Sequence, residues 1–203
     1  MSGMTVPGVF ATSFEPEGEP VGTAVIVPGR GYPAVAPLLF FAGVALVEHG
    51  WSVRQVWWDP PAHETDEQTT AWVRARVGEA LPDRGRVLLV AKSLGTYAAP
   101  LAAERGLDAV WFTPTLQVPS LVHALAVNPA RQLLVGGTAD DLAWRPDVAR
   151  SLAGQGCDVC EIPDADHALL VPGDIVRGTE AHVTAARALV RFVSGLEVSP
   201  VHR

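Results

Sequence analysis

Short apolar runs rich in Val, Ile, Leu and Trp recur along the chain and alternate with segments of helical periodicity. Several of these runs are continuously apolar, a pattern typical of strands that are buried on both faces of a parallel sheet. The predicted strands cover residues 23–27, 52–58, 86–91, 109–112, 132–135 and 158–162, and residues 8–14 are a candidate edge strand.

The segments between these strands carry helix start and stop signals. We expect helices over residues 38–49, 67–81, 94–105, 145–153 and 180–193, and a short helix over residues 121–127. Pro100 should bend the third helix, and Thr179 is placed to cap the last one. Strands that alternate with helices predict an α/β fold, namely an open and mostly parallel sheet with helices on both faces.

The composition is that of a folded protein with one domain. A chain of 203 residues fits a single domain, which we expect to span residues 1–203 with its core at about residues 20–195. Hydrophobic residues make up 48% and charged residues 18%, which excludes an intrinsically disordered chain. The 22 acidic and 15 basic residues give a formal net charge of −7, so nucleic acid is not an expected partner.

The sequence offers no candidate for a membrane span or a secretory signal. The longest apolar run, residues 34–47, is interrupted by Pro37 and Gly43 and is shorter than the roughly 20 residues that a span needs. The first residues lack a basic region followed by an apolar core. We therefore expect a cytoplasmic protein.

A candidate nucleophile follows the predicted strand 86–91. Ligands bind beyond the carboxyl ends of the strands in open α/β sheets, and here the strand is followed by Lys92-Ser93-Leu94-Gly95 and a helix. A strand, a sharp turn with a serine at its tip and a helix form a nucleophile elbow. The small residues Ala91 and Gly95 satisfy the steric demand of that turn. The Ser93 hydroxyl would then lie at a helix N-terminus, where free N–H groups favour negative charge.

A serine needs a base, and the base needs an acid that orients it. Each candidate stands just past a later strand: Asp140 and Asp141 follow strand 132–135, and His167 follows strand 158–162. We predict that Ser93 is the nucleophile, His167 the base and Asp140 the acid, with Asp141 as the alternate acid. His123 is the competing base.

The chain resembles small α/β-hydrolase-fold proteins without a large cap, above all serine hydrolases of the dienelactone hydrolase kind, over roughly residues 20–195. The matching motifs are Ala91-Lys92-Ser93-Leu94-Gly95, Gly137-Thr138-Ala139-Asp140, Asp166-His167-Ala168 and Pro28-Gly29-Arg30-Gly31-Tyr32. The resemblance implies that the backbone N–H groups of Leu94 and Arg30 form an oxyanion hole, with Gly31 or Tyr32 as alternate donors. Ala91 stands where this family usually has glycine.

Further residues are candidates for supporting roles. Gly31, Tyr32 and Trp144 are candidates to line an acyl pocket, with core or surface packing as the alternative for Tyr32 and Trp144. Lys92, the only lysine, is expected to form a structural ion pair behind the elbow. The apolar start of the first helix, residues 38–41, exceeds what one packed face requires, so the excess would be a pocket wall or a homodimer contact.

These residues predict a serine hydrolase that needs no metal or organic cofactor. Its substrates would be small or accessible carboxylic esters or thioesters, cleaved through an acyl-enzyme on Ser93, because only residues 113–128 could form an insert over the site. The alternatives are an acyltransferase or a peptidase with the same triad, or a non-catalytic binding protein that retains the fold.

Overall fold

The computed structural model describes residues 13–61 and 65–197, in which seven strands alternate with six α-helices. The strands are β1 (Ser13–Phe14), β2 (Gly22–Val27), β3 (Trp51–Gln55), β4 (Val87–Lys92), β5 (Asp108–Phe112), β6 (Gln132–Gly137) and β7 (Asp158–Ile162). The helices are α1 (Pro37–Glu48), α2 (Asp66–Ala80), α3 (Ala99–Arg105), α4 (Pro119–Val127), α5 (Pro146–Ala153) and α6 (Ile175–Glu197).

All seven strands form one sheet in the order β1-β3-β2-β4-β5-β6-β7. Only β1 is antiparallel to its neighbour within this described sheet, so the predicted mostly parallel α/β architecture is confirmed. The direction in which successive strands are added reverses between β2 and β4. Such a reversal leaves a crevice outside the carboxyl ends of the two strands, which is where open α/β sheets bind ligands.

Helices cover both faces of the sheet. The core of one face contains α1 and α6, and the core of the other contains α2, α3, α4 and α5. Adjacent residues of a strand point to opposite cores, as Val25 and Ile26 of β2 do. Both cores exclude water, which explains why the central strands are continuously apolar in sequence.

The last helix begins earlier than the predicted start at residue 180. The Asp174 carboxylate accepts the backbone N–H of Arg177 at 3.0 Å and so caps α6. The predicted cap, Thr179, lies inside the helix, where its hydroxyl donates to the carbonyl of Ile175. The exposed Ile175 and Val176 in the first turn hide the amphipathic pattern that marks the rest of α6.

The helix predicted over residues 94–105 is two helices. A 3₁₀ helix covers Ser93–Ala98, and α3 follows with Pro100 in its first turn. Proline is tolerated there because the N–H that it lacks has no partner in a first turn. The predicted edge strand is present as β1, whereas residues 8–12 lie outside the described residues.

The connection from β5 to β6 contains α4, a helix of nine residues, and no larger insert. The carboxyl edge of the sheet is therefore not covered by a cap domain in the described ranges. None of the helices described combines the length and the apolar character that crossing a membrane requires.

Candidate active site

Ser93 lies at the tip of a strained turn. It follows β4 directly, and its φ of +50° lies in the left-handed region, which costs a residue with a side chain about 1–3 kcal/mol. A Cβ on Gly95 would lie 3.0 Å from the Ala91 methyl and 3.1 Å from the Val27 carbonyl, so a larger residue at position 95 would have to displace these atoms by a few tenths of an ångström. The hydroxyl of Thr96 donates to the Ser93 carbonyl at 2.7 Å and fixes the turn from below.

The imidazole of His167 lies between a hydroxyl and a carboxylate. Its Nε2 is 2.8 Å from Ser93 Oγ, and its Nδ1 is 2.8 Å from Asp140 Oδ2. When Nδ1–H donates to the carboxylate, Nε2 is left without a proton and accepts from the serine hydroxyl. The sequence thus identified three side chains, distant along the chain, that the fold brings into one hydrogen-bonded row.

Asp140 is held in one orientation because its side chain is completely buried. The oxygen that does not face the imidazole, Oδ1, accepts the backbone N–H groups of Leu142 and Ala143 at 3.1 Å each. Asp141 is exposed, and its contact with this region is through its backbone carbonyl, which accepts from Gln117. The residue in contact with His167 is therefore Asp140 rather than the alternate acid.

The loops that carry Asp140 and His167 are joined by backbone hydrogen bonds. Thr138 N–H donates to the Ile162 carbonyl at 3.0 Å, and Ala139 N–H donates to the Ala165 carbonyl at 2.9 Å. A Cβ on Gly137 would overlap the carbonyl of Ala165, so this approach requires glycine. The short distance between acid and imidazole thus depends on the glycine that ends β6.

The loop after β2 packs against the serine. A Cβ on Gly29 would lie 3.5 Å from Ser93 Cβ, and the loop is closed by a 3.1 Å hydrogen bond from Gly29 N–H to the Tyr32 carbonyl. Among the backbone hydrogen bonds outside regular helices and strands in residues 13–61 and 65–197, none is donated by Leu94 or Arg30, and both N–H groups remain the candidates for the oxyanion hole. The Arg30 guanidinium donates to the carbonyl of Pro61, on the loop after β3.

Lys92 is buried directly behind the elbow, with 1% of its surface exposed. The predicted ion pair is replaced by hydrogen bonds to two neutral acceptors. The Lys92 ammonium donates to Thr113 Oγ1 at 2.9 Å and to the His167 carbonyl at 2.8 Å. The same nitrogen is 4.7 Å from the ring centroid of Tyr32, a cation–π distance. Burial lowers the pKa of Lys92 to about 8, although the carboxylates of Asp140 and Asp166 act in the opposite direction.

Two of the predicted pocket residues lie elsewhere, Trp144 in the core and Gly31 at the surface. Trp144 is only 3% exposed, because its ring packs into the space left by the missing side chain of Gly136 and its indole N–H donates to Glu161. It therefore belongs to the core rather than to a pocket wall. Gly31 is exposed, and a Cβ there would contact nothing within 4 Å.

The competing base lies away from this row. His123 is exposed on α4. Among the side chains that the structure describes, no three His, Cys, Asp or Glu residues cluster as metal ligands would.

Sequence reasoning missed Thr113, the partner of Lys92; its position directly after β5 was the available signal.

No protein-family model matches the chain, and no curated protein matches it in sequence. Solved structures do match. Est1E from Butyrivibrio proteoclasticus has a TM-score of 0.72 and 12% identity, covering 92% of this chain and 93% of that one. XC6422 from Xanthomonas campestris, described as an α/β serine hydrolase without a lid, has a TM-score of 0.64 and 18% identity, covering 93% and 89%. The carboxylesterase CesB (YbfK) from Bacillus subtilis has a TM-score of 0.62 and 12% identity, covering 90% and 86%.

At these identities the similarity concerns the fold. Together with the strand order and the helices on both faces, it shows that the chain has the α/β-hydrolase fold, with no large cap in the ranges that the structure describes, as the motifs predicted.

The elbow predicts a coupling between two small residues. Gly95→Ala should destabilise the protein by about 1–2 kcal/mol, because three atoms crowd the new methyl group. Ala91→Gly removes one of those atoms, so the double variant should lose less stability than the sum of the two single losses. Urea unfolding of all four proteins measures this coupling, and strictly additive losses would contradict the steric account.

Lys92→Met removes the buried charge and nearly preserves the volume. Since the folded pKa of about 8 lies below the ordinary 10.5, the unfolded chain binds more protons between these values, and stability rises with pH there. Relative to Lys92→Met, the wild type should gain about 2–3 kcal/mol of unfolding free energy between pH 7 and pH 10. Parallel pH dependences of the two proteins in urea unfolding would show that burial does not shift this lysine.

Proposed function

We propose that the chain is a serine hydrolase that cleaves small or accessible carboxylic esters or thioesters through an acyl-enzyme on Ser93. One observation supports this most strongly: the His167 imidazole is within 2.8 Å of both the Ser93 hydroxyl and the Asp140 carboxylate. Hydrogen bonds of this length allow proton transfer from the serine to the imidazole.

In the first half of the reaction, Ser93 Oγ attacks the carbonyl carbon of the substrate while His167 Nε2 takes its proton. Asp140 stabilises the imidazolium that forms, and the backbone N–H groups of Leu94 and Arg30 stabilise the oxyanion. The bond from the carbonyl carbon to the leaving oxygen or sulfur then breaks. The leaving group takes the proton from His167, and the acyl group remains on Ser93.

In the second half, His167 removes a proton from a water molecule that attacks the acyl-enzyme. The tetrahedral intermediate collapses, the carboxylic acid leaves, and the proton returns to Ser93 Oγ. The His167 side chain is 27% exposed, and the insert after β5 contains only α4, so water reaches this position. This access favours hydrolysis over transfer of the acyl group to a second bound substrate.

The structural neighbours support the same class of reaction. One of them is described as a carboxylesterase and another as an α/β serine hydrolase without a lid. The substrate of the present protein would be a small acyl compound, and no metal ion or organic cofactor enters the proposed steps.

A fluorophosphonate probe tests the nucleophile, because it phosphonylates a serine that an adjacent base activates. We expect mass spectrometry to find one adduct on the wild type and on Ser120→Ala, which removes an exposed serine of α4. Ser93→Ala should remain unlabelled. Equal labelling of wild type and Ser93→Ala would contradict the proposal, as would an unlabelled wild type between mildly acidic and mildly basic pH.

A comparison of the two adjacent aspartates tests the acid. Asp140→Asn would place an amide against His167 Nδ1 and favour the wrong tautomer, so kcat should fall by about 10⁴-fold. Asp141→Asn changes an exposed side chain and should leave kcat within about threefold of the wild type. Rates of p-nitrophenyl acetate hydrolysis measure both variants, and a larger loss for Asp141→Asn would assign the acid to that residue.

A further inference from the structure

A groove of about 1020 Å³ runs between α1 and α6 on the outer side of these helices. Its walls are mainly aliphatic and aromatic, and they include Phe41, which is 52% exposed, and Val183, which is 43% exposed. Apolar side chains gathered in an exposed concave surface are typical of binding sites. No residue of the sheet lines this groove, and neither does any residue of the hydrogen-bonded row in the active site.

The lining of the groove includes small residues. Ala45 of α1 and Ala186 of α6 line it together with larger side chains such as Val44 and Val183. Phe41 and Ala45 are four residues apart, as are Val183 and Arg187, so each pair lies on one face of its helix. An open apolar groove with alanine in its lining suits a flexible chain of methylene groups.

One end of the groove borders the two loops that carry active-site residues, although neither Ser93 nor His167 lines it. Tyr32, on the loop that packs against Ser93, and Ala168, the residue after His167, both line it. Pro37, the first residue of α1, stands at the same end. Because α1 begins near the carboxyl edge of the sheet, the groove leads away from that edge along a helix of 12 residues, which is about 18 Å long.

The charged side chains of the groove lie at its other end. Glu48 is the last residue of α1, and Arg187 and Arg191 belong to the later turns of α6. The end that borders the active-site loops is therefore lined mainly by apolar residues, together with Thr179 and His182, and the remote end carries the charges. A ligand that matches this arrangement has its reactive group at one end, followed by an apolar chain of limited length.

We propose that the groove binds the linear acyl chain of a medium-chain fatty ester or thioester while its carbonyl lies at Ser93. This inference rests on the function proposed above and specifies the substrate class. The chain lies in an open groove, which agrees with an accessible site without a cap.

The test compares p-nitrophenyl esters of acetate, butyrate, octanoate and dodecanoate, each used below its micelle concentration. A chain that is half removed from water gains about twofold in kcat/KM per methylene. We therefore expect octanoate to exceed acetate by about tenfold or more in the wild type. The increase should end between octanoate and dodecanoate, where the chain approaches Arg187 of α6, well before Glu48.

Ala186→Trp places a large side chain in the groove. It should remove the preference for octanoate while leaving acetate hydrolysis within about twofold of the wild type. Thr184→Trp is the matched control, because it places the same side chain at an exposed position of α6 outside the groove. Val183→Glu, at a half-exposed position, gives the same test without overfilling the structure. An unchanged octanoate preference in both groove variants would overturn the proposal, as would a flat chain-length profile in the wild type.

Two measurements separate this proposal from its alternatives. If no ester is cleaved and the fluorophosphonate does not react, the proposed function fails. Binding of decanoate to Ser93→Ala would then still support the groove, provided that the double variant Ser93→Ala/Ala186→Trp loses this binding. The absence of decanoate binding to Ser93→Ala would overturn the proposal for the groove. Light scattering after size exclusion tests occupation by a second copy. A wild-type dimer that Ala186→Trp converts to a monomer, with an unchanged chain-length profile, would assign the groove to a protein interface.

Discussion

A single buried ammonium group connects the loops of the candidate site. Burying the charge of Lys92 costs free energy, which its hydrogen bonds to Thr113 and the His167 carbonyl and its contact with the Tyr32 ring must offset. These three partners belong to the loops after β5, β7 and β2. One side chain therefore contacts three loops around Ser93 through directional interactions, which an apolar side chain of equal volume would not make.

Backbone strain is concentrated at the same edge of the sheet. The four non-glycine residues with a positive φ in the described ranges are Ser93, Thr113, Asp164 and Leu169. Each follows a strand or lies in the loop that carries His167, and each costs about 1–3 kcal/mol. The two buried layers on either face of the sheet supply the stability that keeps these conformations populated. Local preferences are thus violated where the side chains converge and followed elsewhere, as expected for a functional edge.

The sequence predicted the residues that directly follow strands better than those further along the loops. The positions of Ser93, Asp140 and His167 at one edge follow from the parallel sheet, because carboxyl ends of parallel strands lie side by side. Trp144 comes several residues after β6, so its direction could not be inferred; the two glycines before it were the overlooked sign of a close contact. The partners of Lys92 were missed for two reasons: the carbonyl of His167 belongs to the backbone and leaves no mark in the sequence, and Thr113 was marked only by its position directly after β5.

The first helix is apolar on more of its circumference than the fold requires. Leu38 and Leu39 pack into the core, whereas Phe41 faces the groove and remains half exposed. Exposed apolar surface does not stabilise the fold, and we attribute this part of it to the proposed acyl chain. Tyr32 lines the groove, and its ring also contacts Lys92. A chain bound in the groove would therefore contact the loop that packs on Ser93. Binding energy from the remote chain could then orient the carbonyl for attack, and chain length would affect the acylation step itself.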